Sequence, residues 1–180
     1  MGTTTLMSLE EFERLDRGAD HIELLKGELI RLPPAQRNHN QIRETLYDFL
    51  KAAIERCRRS HPTVRWGKVH MEMGYLLSGE PRSWLQPDVS LTHPDQPGDR
   101  YYQGAPLMVF EIVSEFDTAR QMEAKLAEHL AHGSAEVWVI DPDTRHAWVY
   151  ERSTSSARRE NRAIRSPLLP AVEIAFADLF

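Results

Sequence analysis

Apolar positions recur at helical spacing in two long stretches of the chain and alternate or run together elsewhere. From Asn38 to about Arg58 they fall at Ile42, Leu46, Phe49, Leu50, Ala53, Ile54 and Cys57, one face of a helix that Asn38 or Asn40 is placed to cap. Residues 117–132 repeat the spacing through Met122, Leu126 and Leu130, and Gly133 suits the position just past a helix end. Near the start, "MSLEEFERLD" reads as a short helix. Ser8 is the expected N-cap, Glu11 follows three residues later, and Leu9, Phe12 and Leu15 share a face.

The remaining pattern is that of strands. "HIELLKGELIRLP" predicts a hairpin turning at Lys26-Gly27 and ended by Pro33-Pro34. "TVRWGKVHMEMGYLLSG" and "SWLQPDVSLTH" predict strands joined at Gly79-Glu80-Pro81. "PLMVFEIVS" is almost continuously apolar, as suits a strand covered on both faces. "AEVWVID" and "HAWVYER" pair across Pro142-Asp143-Thr144, residues 94–104 and 153–162 read as loops, and "SPLLPAVEIAFADLF" is apolar enough to dock on the body. There are no repeats. The order predicts one α/β domain over residues 1–180, a mixed central sheet flanked by helices, with an added N-terminal helix and hairpin.

Composition narrows the class of protein. Of 180 residues, 41% are hydrophobic and 27% charged, ordinary for a globular chain. A single cysteine, Cys57, excludes an internal disulfide, and no apolar run reaches signal-peptide or membrane-span length, so the expectation is a cytoplasmic protein without a membrane partner. The net charge of −5 argues against a protein that coats nucleic acid, but the charges are segregated. Residues 51–68 carry six Lys/Arg against one acid and residues 151–165 five against two, whereas residues 69–150 carry five against thirteen. A phosphate-binding rim beside an acidic, metal-binding centre divides charge in this way, as does a helix with a solvated basic face.

Two acids stand out. Asp88 follows Pro87 in "SWLQPDVSL", and Glu111 interrupts the apolar run Leu107–Val113. Burying an ionised carboxylate costs several kcal/mol unless it is paired, hydrogen-bonded or metal-bound. Two carboxylates on neighbouring strands can chelate Mg²⁺, with Mn²⁺ as a substitute, and the backbone carbonyl of Ile112 could add a ligand. Lys125 on the following helix would orient or deprotonate a water, or stabilise charge on a phosphate.

Pro87-Asp88, then Glu111, then a lysine resembles the PD-(D/E)XK nuclease superfamily. More closely, the chain resembles the Uma family of bacterial restriction-endonuclease-like proteins. The matching segments are "SLEEFERL", "IELLKGELIRLPP", "HNQI", "QPDVSL", "GAPLMVFEIVS", "DTARQMEAKLAEHLAHGSAEVWVIDP" and "SPLLPAVEIAFADLF", in family order across nearly the whole chain. The resemblance implies a restriction-endonuclease-like core and metal-dependent hydrolysis of phosphodiester bonds, in DNA before RNA, with Asp88, Glu111 and Lys125 as the catalytic set. A plain (D/E)XK motif would put lysine at 113, where this chain has Val113; the family pattern moves it to Lys125. Gln121 stands where an acid is usual and His129 where tyrosine is usual.

Secondary candidates are Glu23 and Glu28 around the hairpin turn, either of which could face the metal, and His39 at the head of the long helix. Arg56, Arg58, Arg59, Arg65 and Lys68 are the expected grip on nucleic-acid phosphates. Trp66 and Trp84 suit core packing better than base stacking. The alternative reading is a nuclease-fold binding or regulatory module without turnover. A homodimer would let both strands be cut, and the apolar C-terminal segment suits either a subunit interface or the protein's own core.

Overall fold

A computed structural model describes residues 6–15, 21–77, 79–154, 156–170 and 172–180. Helix α1 (Leu9–Glu13) begins with the expected capping box: Ser8 Oγ accepts from the Glu11 amide, and the Glu11 carboxylate accepts from that of Ser8. Asp16, the end of the expected segment, lies outside the described residues. Strands β1 (His21–Leu25) and β2 (Glu28–Leu32) form the hairpin. Leu25 faces Glu28, leaving Lys26 and Gly27 as a two-residue turn with φ of 50° and 78°. Positive φ at both positions matches the right-handed twist of the flanking strands.

Helix α2 (Arg37–Ser60) is 24 residues long and buries Ile42, Leu46, Leu50, Ala53, Ile54 and Cys57. Neither Asn38 nor Asn40 caps it. The chain held extended by Pro33-Pro34 turns helical directly after Gln36, the actual N-cap, so both asparagines fall inside the first turn. The Gln36 side chain reaches Glu115 instead of the helix amides.

Next come the short strands β3 (Val69–Met71), β4 (Tyr75–Leu77), β5 (Ser83–Leu85), β6 (Val89–Leu91) and β7 (Tyr102–Gln103). Strand β8 (Met108–Ile112) leads through α3 (Ala119–Ala131) to β9 (Glu136–Asp141), β10 (His146–Glu151) and β11 (Ala157–Glu160). The ribbon β12 (Ala163–Ile164) with β13 (Ile174–Ala175) closes the chain. The central sheet is mixed, as expected: six strands in the order β11-β10-β9-β8-β6-β3, with β8 and β9 parallel. A second sheet, β2-β1-β5-β4-β7, takes in the N-terminal hairpin.

Residues 94–104, expected as a loop, contain the two-residue strand β7, which pairs parallel with β4. Two further expectations are corrected. The stretches read as single strands over "TVRWGKVHMEMGYLLSG" and "SWLQPDVSLTH" are each broken in the middle. They form one antiparallel ribbon whose β3/β6 half belongs to the central sheet and whose β4/β5 half belongs to the second. The register continues across the break, with Met71 opposite Val89 and Tyr75 opposite Leu85, but residues 72–74 and 86–88 carry the chain from sheet to sheet. Pro87 has no amide to give a ladder, which favours the break. The second correction concerns residues 153–162, where β11 ("ARRE") pairs with β10. An edge strand bonded on one side needs no apolar face, so its charged sequence gave no strand signal.

Strand β8 is buried along its whole length. Met108, Phe110 and Ile112 join the core built on the α2 stripe, while Val109 packs with Leu126 of α3, Val137 and Val139. By alternation Glu111 shares the α3 face. The C-terminal Val172, Ile174, Phe176 and Leu179 also enter the α2 core, so this apolar segment completes the protein's own interior.

At the bend, Gly74 lies against the Trp84 indole, and a Cβ there would come within 2.4 Å of the ring. Gly74→Ala is therefore expected to lower the unfolding free energy by about 1–3 kcal/mol through overpacking, as urea denaturation would measure.

Candidate active site

The ribbon's bend opens a cleft between the sheets. Glu72 sits on one strand of the bend at φ 47°, outside the usual range for a side-chain-bearing residue, and its amide donates to the Asp88 carbonyl across the ribbon at 3.2 Å. Arg43 of α2 is ion-paired with the Glu72 carboxylate, and Gln86 Nε2 donates to its carbonyl. Gln86 N, freed from any ladder, donates to Glu23 Oε1 at 2.7 Å. Asp88 Oδ2 accepts the Ile112 amide at 2.8 Å, tying the bend to the end of β8.

Asp88, Glu111, Ile112 and Lys125 all line this cleft. Glu111 is 4% exposed and Lys125 5%. Lys125 Nζ lies 2.9 Å from Glu23 Oε2 and 3.5 Å from Glu111 Oε2. The other Glu111 oxygen, Oε1, is buried without a hydrogen-bond partner among the described residues. Burial pushes the Glu111 carboxyl up to about 8; Lys125 opposes that, and the negative charges of Asp88, Glu23 and Asp117 add to it. Burial also works to neutralise Lys125, but Glu111 and Glu23 outweigh it and hold the ammonium above its ordinary value.

His39 Nε2 stands 3.1 Å from the Ile112 carbonyl and 3.3 Å from Asp88 Oδ2. Lying between two acceptors, it is the protonated ring nitrogen. Desolvation lowers the basicity of His39, yet its bond to Asp88 prevails and raises it. Thus His39 faces the acids directly. Of the two hairpin acids, Glu23 is brought into the site and Glu28 is left exposed. Gln121 caps α3 with Thr118, whose hydroxyl accepts the Gln121 amide and donates to its side chain. The five expected phosphate contacts lie elsewhere. Arg56 is 13 positions beyond Arg43 on α2, about 20 Å along the axis. Arg58 is engaged by Glu55 and the Gly67 carbonyl and Arg65 by Asp95, whereas Arg56, Arg59 and Lys68 are exposed.

Arg43, Glu72 and His129 were given no site role by the sequence; the first two line the cleft, and His129 is buried beside Glu111. Arg43 lies four positions after His39, hence on the same helix face, and that spacing was the available signal. Glu72 had none, because its position depends on the bend. His129 is fully buried, neither ring nitrogen has a hydrogen-bond partner among the described residues, and Nε2 lies 3.9 Å from Glu111 Oε1. Burial, followed by the Lys125 charge, lowers it to about 3, so the ring is neutral at ordinary pH.

Between pH 4.5 and 8 the folded chain retains a proton on Glu111 that the unfolded chain has released. Raising pH through that window therefore favours unfolding. Relative to Glu111→Gln, the metal-free wild type is expected to lose stability across it, with a slope approaching about 1.4 kcal/mol per pH unit. Urea unfolding of both proteins at several pH values checks this, and a constant difference would put the proton elsewhere.

Known proteins give the site a setting. A crystal structure of a "putative nuclease belonging to DUF820" from Anabaena variabilis superposes with a TM-score of 0.82 over 97% of both chains, at 20% identity. At that identity the likeness is one of fold. No curated protein sequence matches the chain. The profile of the Uma2 family, described as "Putative restriction endonuclease", matches residues 9–177. This chain belongs to the Uma2 family.

Proposed function

We propose that the protein is a Mg²⁺-dependent endonuclease that hydrolyses phosphodiester bonds in DNA, with Mn²⁺ able to replace Mg²⁺. The observation that carries this is Glu111, a buried carboxyl that lines one cleft with Asp88 and Lys125 and whose Oε1 lacks a hydrogen-bond partner among the described residues. A buried oxygen of this kind is costly unless something answers it. Asp88, Glu111 and the Ile112 carbonyl would hold the ion. The His39 N–H already bridges Asp88 Oδ2 and the Ile112 oxygen, which supports that pair of oxygens as a place for positive charge. Among the described residues no three His, Cys, Asp or Glu side chains gather as a metal site. Two carboxylates with a carbonyl and waters suit Mg²⁺, which keeps much of its hydration shell.

Bound there, the ion supplies an activated water and offsets negative charge on the phosphate. Lys125 remains an ammonium, so it donates a hydrogen bond to orient the water or a phosphate oxygen and does not take the water's proton. Glu23 holds Lys125 from the far side. Arg43, whose buried Nε has no hydrogen-bond partner among the described residues, can turn toward a phosphate at the cleft floor.

Calorimetric titration with Mg²⁺ and Mn²⁺, alongside nicking of supercoiled plasmid, tests this reading. Wild type is expected to bind metal and nick, and Asp88→Ala to do neither. Because Glu111 holds a proton at neutral pH, binding should release it, visible as a heat that varies with the buffer's ionisation enthalpy. Lys125→Met should keep metal affinity and lose roughly 10²–10³ in cleavage rate. Metal binding without nicking would favour the binding-module alternative, and absence of both would overturn the proposal.

The exposed Arg56, Arg59 and Lys68 extend the site toward flanking DNA backbone. Reversing charge at Arg56 and Arg59 should weaken DNA affinity and flatten its logarithmic salt dependence by about one per lost phosphate contact. An unchanged salt slope in a binding assay would remove them from the interface.

A further inference from the structure

Phe116 is 51% exposed at the lip of the cleft, in the loop between β8 and α3. It is the exposed large hydrophobic residue, among those described, that lines the cleft holding Asp88, Glu111 and Lys125. The loop is built to keep the ring outside. Asp117 Oδ2 accepts from both the amide and the hydroxyl of Ser114 at 2.8 Å, and the Asp117 amide donates back to the Ser114 carbonyl at 3.2 Å. This turn presents Phe116 to solvent, forgoing the roughly 1.5–3 kcal/mol that full burial of such a ring gives. The bond between Gln36 and Glu115 ties the loop to the segment before α2. Pro33 and Pro34 of that segment line the same cleft and are stiff at φ. The cleft thus has a polar, charged floor and an apolar lip fixed on both sides.

We propose that the lip takes an unpaired nucleobase stacked on Phe116 while the adjoining phosphate lies on the floor, so that the substrate is single-stranded or locally unpaired DNA. This rests on the endonuclease reading above. A flat π face, a rigid apolar neighbour and a phosphate-binding floor within one cleft match a nucleotide, with its apolar faces and anionic backbone. A paired base cannot reach the ring, because its faces are covered in the duplex. No hydrogen-bonding side chain is needed at the lip, so selection is by pairing state and not by sequence. Trp66 and Trp84 do not compete for this role: Trp84 packs in the core with Phe12, and Trp66 lies outside the cleft.

The test uses the whole chain in Mg²⁺ on four labelled DNA substrates: a single strand, a gapped duplex, a duplex with one bulged nucleotide and a fully paired duplex. Wild type should cut the first three at least tenfold faster than the fourth. Phe116→Ala should lose roughly tenfold on the unpaired substrates and little on the paired one, with Phe116→Trp restoring the loss. In Ca²⁺, 2-aminopurine beside the cut position should be quenched by wild type and by Phe116→Trp but not by Phe116→Ala. If Asp88→Ala abolishes cleavage while Phe116→Ala cuts all four substrates as wild type does, the lip proposal falls and the endonuclease reading stands. Preferential cutting of the paired duplex has the same consequence. If wild type neither binds metal nor cuts any of the four, both fall together.

Discussion

Glu111 lies inside a strand buried along its whole length, and the arrangement of the cleft follows from what that position demands. A carboxyl there must stay protonated, find a cation or accept several hydrogen bonds. Lys125 of α3 stands 3.5 Å from one oxygen, and Lys125 is itself held from the other side by Glu23 of the hairpin. The pair therefore joins the central sheet, the helix packed on it and the second sheet through one buried ammonium. Charge is balanced imperfectly: Glu111 Oε1 has no hydrogen bond among the described residues, and the carboxyl is easier to protonate than usual. Structural ion pairs are commonly better satisfied than this. Under the proposed function, a bound cation would answer the shortfall.

The second constraint is the bent ribbon. Were β3–β4 and β5–β6 straight, Asp88 would lie within a continuous ladder. Where the ribbon passes from one sheet to the other, the Glu72 amide still pairs with the Asp88 carbonyl across it, while the Gln86 amide and the Glu72 carbonyl are bonded by side chains at the site. Gln86 N takes Glu23, the Glu72 backbone takes Asp88 and Gln86, and the Asp88 side chain takes the Ile112 amide. The left-handed conformation of Glu72 is local strain placed at this junction, where Arg43 holds its side chain. Proline at 87 and the close approach of Gly74 to Trp84 belong to the same bend.

Polar floor and apolar lip come from different parts of the chain. The floor is supplied by strand ends and by α2 and α3, which are rigid. Two short segments supply the lip, stitched together by Gln36 and Glu115. The exposed Arg56 and Arg59 lie on the last turns of α2, about 20 Å or more along its axis from Arg43.

Local features were legible in the sequence because their causes are local. The stripe of α2, the capping box of α1, the two-residue turn at Lys26-Gly27 and the burial of β8 follow from spacing, side-chain chemistry and backbone preference over a few residues. The anomaly of an acid in an apolar run also pointed to Asp88 and Glu111. Which sheet a strand joins depends on partners dozens of residues away, so the bend at 72–74 and 86–88 was not visible, nor was the pairing of the charged strand β11. Glu23 and Glu28 lie on one face of the hairpin, so periodicity could not separate them. Tertiary structure decides in favour of Glu23, because it lies in mid-strand beside β5 while Glu28 stands at the hairpin tip. Arg43, Glu72, His129 and Phe116 acquire their places only when α2, the ribbon and α3 meet. Their environments are made by residues distant in sequence, and spacing along a chain carries no record of such meetings.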